Sequence, residues 1–184
     1  MGIKEAFKSL LRMGKTGHAP AEDPISIVLL LSESHSRSLE QLREAAGRAF
    51  GISFSGDRAA RHSVYVRGII FTLANVGPHK LSFLRMTKPY GAGSAEFQAF
   101  EKALPLDSQR RAWSEHQAYM AIDYVEGNVD LDSKYVVLAK LCAELCDSNC
   151  LGIYLPRENT LVPGLEAARA QLNKIMSYKN VKIS

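Results

Sequence analysis

Long apolar runs are scarce in this chain. The longest, Ile25 to Leu31, is broken only by Ser26 and is far too short to cross a bilayer. Cysteine is sparse as well. The three, Cys142, Cys146 and Cys150, crowd into one segment, and an odd number in one place is no disulfide framework. The first residues lack a continuous apolar block with a small-residue cleavage site, which argues against a secretory signal. Met1-Gly2 is followed by Ala6 where an N-myristoylation motif wants Ser or Thr. These absences predict a cytoplasmic chain without an integral membrane segment.

Signatures of catalysis are missing too. There is no G-x-S-x-G elbow, no G-x-x-x-x-G-K-[ST] loop, and no H-E-x-x-H helix. The five histidines are scattered, and the C-x3-C-x3-C spacing lacks the second pair that a structural zinc site uses. Asp147-Ser-Asn149 reads as a helix stop that sends Cys150 into the next element, so the cysteines are expected as core residues. No cofactor and no metal are expected.

What is present suits one folded domain. A chain of 184 residues, 46% hydrophobic and 23% charged, buries a core without staples. The net charge of +4 sits at the two ends: Lys4, Lys8, Arg12 and Lys15 near the start, Lys174, Lys179 and Lys182 near the finish. A phosphate backbone needs cations converging on the folded body, so nucleic acid is not the expected partner.

Residues 1–14 read as an amphipathic basic helix, with Ile3, Phe7, Leu10 and Leu11 at helical spacing. Residues 1–18 form this separate leader and the start of a Gly- and Pro-bearing linker, and 24–184 form the domain. The fold class predicted is α+β, a mixed sheet flanked by helices, describable as two βαββ-like halves over 24–105 and 106–184. Ile25–Leu31 reads as a strand covered on both faces. Ser38 and Gln41 make a capping box for the next helix. His62–Asn75 reads as one long strand, paired as a hairpin with Lys80–Met86. A helix follows over Ala95–Leu104, then one capped by Asp107, a strand over Ala118–Val125, and a helix over Ser133–Cys146. Leu151–Leu155, a short edge piece at Thr160–Val162, and a helix over Gly164–Met176 complete the order.

Few constellations could carry chemistry. Trp113-Ser-Glu-His116 falls where a helix gives way to a strand, and a histidine there, beside Glu115, could serve as acid or base. The plainer reading is a histidine that satisfies its own junction through a backbone hydrogen bond. Gly91-Ala-Gly93-Ser94 precedes a helix, whose free amides could cradle a phosphate. Arg110 and Arg111 beside Trp113 could bind an acidic partner.

Trp113-Ser-Glu-His-Gln-Ala-Tyr-Met-Ala-Ile122, Val137-Leu-Ala-Lys-Leu141 and Leu151-Gly-Ile-Tyr154 together resemble a family of bacterial domains of unknown function. That resemblance implies bacterial origin and carries over Trp113, His116 and Tyr154. The leading expectation is a non-enzymatic module that binds another protein, as an adaptor, regulator or immunity-like domain; a homo-oligomer is compatible with it. The alternatives are a small hydrolase or transferase using His116 and Glu115, and a small-ligand sensor. The sensor would hold a pocket between the halves lined by Tyr65, Phe83, Tyr119 or Trp113.

Overall fold

The computed structural model describes residues 25–34, 37–67, 71–181 and 183. The leader helix and linker expected over residues 1–24 lie outside them. Among the described residues, seven strands and five helices follow in the order β1 (Ile25–Leu31), α1 (Leu39–Phe50), β2 (His62–Arg67), β3 (Phe71–Val76), β4 (His79–Met86), α2 (Ala95–Ala103), α3 (Asp107–Glu115), β5 (Ala118–Glu126), α4 (Leu131–Leu145), β6 (Cys150–Leu155), β7 (Thr160–Pro163) and α5 (Leu165–Met176). The class is α+β, with helices on both faces of one sheet.

The strands lie in the order β2-β3-β4-β5-β1-β6-β7. Every neighbouring pair is antiparallel, rather than mixed as expected. The parallel contact among the described residues is an isolated bridge, Ser55 to Ser63. β1, from the first half of the chain, sits between β5 and β6 of the second. Residues 24–105 and 106–184 therefore interleave in one sheet.

β1 is buried along its whole length, as its nearly continuous apolar sequence requires for a strand covered on both faces. Ile25, Ile27, Leu29 and Leu31 join a core with α1, α4 and α5, while Val28 and Leu30 join a second core on the opposite face. α4 is central to the first core. Tyr135 to Ala139, Leu141, Cys142 and Leu145 are all buried, because the helix is flanked by α1 and α5 as well as by the sheet.

Local signals place the helix ends. Ser38 accepts from the Gln41 amide at 3.1 Å while the Gln41 carboxamide accepts from the Ser38 amide at 2.7 Å. Asp130 caps α4 through the Ser133 amide at 3.0 Å, so this helix starts two residues before the expected Ser133. Asp107 is not the cap of α3. It is the first helical residue, and the Gln109 carboxamide accepts from the Leu106 amide instead.

The single long strand expected over His62–Asn75 is two strands. Arg67 pairs with Phe71 and His62 with Val76, so the chain reverses between Arg67 and Phe71, where Arg67-Gly68 interrupts the run of β-branched and aromatic residues in the sequence.

Gly152 of β6 faces Pro163 of β7, and a Cβ placed on it would stand 2.6 Å from the Val162 carbonyl oxygen. That oxygen belongs to the backbone, so relief requires β7 to shift. Gly152→Ala is expected to cost about 1–3 kcal/mol of stability, the usual range for overpacking. A urea titration followed by circular dichroism checks it; a wild-type midpoint would show that β7 yields freely.

Candidate functional site

Three of the residues singled out by sequence do meet. Trp113 on α3, His116 just beyond it and Tyr154 on β6 gather on the second face of the sheet. The Trp113 ring lies 5.5 Å from His116 and 5.3 Å from Tyr154 by centroids. Phe97 and Phe100 of α2 close on Trp113 at 5.0 and 4.6 Å, and Tyr90 stands 5.0 Å from Tyr119 and 5.6 Å from Tyr154. These edge, tilted and stacked contacts, with centroids 4.6 to 5.6 Å apart, are within the range in which aromatic pairs attract. Trp113, His116, Tyr119 and Tyr154 are all buried, so the group is a packed core.

His116 is locked inside it. Its Nδ1–H donates to the Trp113 carbonyl at 2.5 Å, and its Nε2 accepts from the Tyr90 amide at 2.8 Å. These bonds fix the neutral tautomer and tie the loop after β4 to the end of α3. Burial holds the imidazole below its ordinary pKa, against the opposing pull of the carbonyls of Trp113 and Ala112. Glu115 is exposed, with its carboxylate 4.0 Å from Arg111. The pair does not converge on a substrate space, and the junction-satisfying reading of His116 fits the geometry.

Arg110 is engaged locally, its guanidinium reaching the Leu104 carbonyl and the Asp107 carboxylate. Arg111 remains on the surface. Ser94, at the candidate phosphate cradle, caps α2 itself, accepting from the Phe97 amide at 3.1 Å. The residues expected to line a sensor pocket do not share one. Phe83 belongs to the first core, Trp113 and Tyr119 to the second, and the sheet lies between them.

The polar group that sequence reading passed over is Asp123. Its neighbours on β1 and β4 are Ser26 and Ser82, one on each side in register. Ser26 Oγ donates to Oδ1 at 2.5 Å and Ser82 Oγ to Oδ2 at 3.1 Å. Burial raises the carboxyl to about 6, although both serine bonds pull the other way. Tyr90 is pushed up to about 12 by burial first, then by Tyr154 and by the Asp123 charge. The Tyr119 hydroxyl is buried and has no hydrogen-bond partner among the described residues. The signal was available: Ser26 and Asp123 are the polar interruptions of two otherwise apolar strands. What sequence could not supply was their adjacency.

The remaining titratable candidates are interior as well. His79 Nδ1 lies 2.6 Å from the Tyr124 hydroxyl, and burial lowers its pKa. Cys142, Cys146 and Cys150 are free and buried, with α4 ending at Leu145 as the Asp147-Ser-Asn149 stop predicts. Among the described residues no three His, Cys, Asp or Glu side chains are placed to hold a metal ion. No helix among them is long and apolar enough to cross a membrane. Beside Arg37, Asp147 and Asn149 lies a cavity of about 10 Å³, room for roughly one water.

Comparison with known protein families, with curated proteins and with solved structures finds no match to this chain.

Proposed function

We propose that this chain is a non-enzymatic protein-binding or regulatory domain of bacterial type, an adaptor or immunity-like module acting in the cytoplasm. The observation that carries the reading is the state of His116. Both ring nitrogens serve the backbone of its own fold, so the best sequence candidate for acid–base work has no nitrogen to offer a substrate. Asp123 is likewise engaged between two serines, and the thiols are interior. Chemistry-bearing side chains hold the sheet and its helices together, and the surface is left for recognition. Arg111 and the well-exposed Val66 and Leu106 stand on that surface.

The test is capture with the immobilised full chain, followed by reconstitution with the purified captured protein. A complex of fixed stoichiometry that survives gel filtration is the expected result. If no protein assembles with the chain, and a turnover found by activity screening disappears in His116→Gln, the binding reading fails and the enzyme reading replaces it.

A further inference from the structure

Five side chains stand in one row across the sheet. Tyr65 on β2 pairs with Leu73 on β3, Leu73 with Ser82 on β4, Ser82 with Asp123 on β5, and Asp123 with Ser26 on β1. Register partners share a face of the sheet, and so do residues two apart along a strand. Val28 and Leu84, two residues beyond Ser26 and Ser82, therefore put the row on the face of the second core. All five side chains are buried. At one end the burial is matched by polar contacts, since Ser26 and Ser82 donate to Asp123 at 2.5 and 3.1 Å.

The described helices do not cover the other end. α2 and α3 lie over a core drawn from β1, β4, β5, β6 and β7, with no described side chain from β2 or β3. α1 meets β2 from the opposite face, where Val64 joins the first core. The loop before β2 covers the next row toward the strand ends, where the Ala60 carbonyl accepts from Ser63 Oγ at 3.2 Å. Tyr65 and Leu73 are 9% and 1% exposed, yet they belong to neither core. A leucine buried that deeply has apolar neighbours above it as well as beside it. The burial is reached within a single chain, so the cover is a segment of the same chain. Beyond the described residues stand 1–24, 35–36, 68–70, 182 and 184. Of these stretches, 1–24 is the one long enough to cross several strands.

We propose that the leader, residues 1–14, lies across this row as an intramolecular cover and packs Ile3, Phe7, Leu10 and Leu11 against Tyr65 and Leu73. The route of the chain suits it. Ser26 is the second residue of β1, so the residues before Ile25 enter the sheet beside the row itself. A helix over residues 1–14 is about 21 Å long. Five neighbouring strands span about 19 Å. The linker over residues 15–24 reaches about 30 Å when extended, enough to bring the leader back over β2. The four apolar residues form one stripe along the helix, and Lys4, Lys8 and Arg12 on its flank stay in water. Packing the stripe on the row takes both apolar surfaces out of water.

The test puts the photocrosslinker p-benzoylphenylalanine in place of Phe7 in the full chain. Irradiation is expected to give a crosslink within one chain that maps to β2, β3 or β4. A crosslink to α1, α4 or α5, a crosslink between two copies, or none at all would overturn the proposal. Phe7→Asp combined with Leu11→Asp gives a second reading, by hydroxyl-radical footprinting of the full chain. Oxidation of Tyr65 and Leu73 should rise severalfold, while Ile122 in the first core keeps its wild-type protection. Unchanged oxidation at Tyr65 and Leu73 would equally overturn the cover. If Ile122 becomes reactive as well, the variant has unfolded and the position of the crosslink decides.

Discussion

Trp113→Ala is expected to lower the unfolding free energy by about 3–5 kcal/mol, the range for deleting a buried aromatic. The indole is 2% exposed and meets Phe97, Phe100, Tyr90 and Tyr154, so its removal leaves a cavity whose walls come from two separate elements and a loop. Those walls are tied to different parts of the chain and cannot all collapse inward. A further contribution of about 1 kcal/mol comes from the Nε1–H bond to the Phe97 carbonyl at 3.2 Å, whose acceptor would be left without this donor. Because this is the chain's one tryptophan, the measurement is a urea titration read by circular dichroism rather than by fluorescence. Trp113→Phe should lose clearly less, since it keeps the stacking on Phe97. A loss under about 1 kcal/mol in the alanine variant would show that α2 and α3 are dispensable covers, since burial of this size normally costs more.

Asp123→Asn is expected to stabilise the protein at pH 8 by about 1–3 kcal/mol, and to give no gain at pH 4. The native carboxyl titrates near 6 rather than at its ordinary 3.8, with burial as the leading cause. A raised carboxyl means that the folded state holds a proton the unfolded state has released. The stability tied to that proton is full below 3.8, falls as pH climbs through about 6, and is gone above it. A shift of this size corresponds to about 3 kcal/mol, from which the imperfect fit of an amide between Ser26 and Ser82 subtracts. His79 and His116 act with the opposite sign. Their lowered values mean that stability is full above 6.5 and is lost as pH falls below it. The two slopes oppose one another in the wild type below 6.5. The Asn variant should therefore lose stability more steeply than the wild type on going from pH 7 to pH 5. Denaturation series at several pH values check both features, and parallel curves for the two proteins would refute the assignment.

The candidate site divides in the same way. Trp113, His116 and Tyr154 were legible as positions because they stand at element ends and on a strand, but their role was not. An open site and a packed aromatic core use the same residue types, and only the neighbours Tyr90, Phe97 and Phe100, from other segments, decide between them. Asp123 shows the converse. Its chemistry comes from Ser26, 97 residues away, and Ser82, 41 residues away, neither of which any local pattern associates with it.

By itself the sequence determined what depends on near neighbours along the chain. The continuous apolar run made β1 a doubly covered strand, Ser38 and Gln41 started α1, and Asp147-Ser-Asn149 ended α4 before Cys150. Helical period and capping are local, since each rests on groups within about four residues of one another. Only the tertiary structure decided the order of strands, the insertion of β1 between β5 and β6, and the pairing of β2 with β3. Pairing along a sheet edge uses the same backbone groups at every residue, so register and neighbour are chosen by which side chains can be buried together. That choice also turned His116 from a free base into a pin, by bringing the Tyr90 amide against its Nε2.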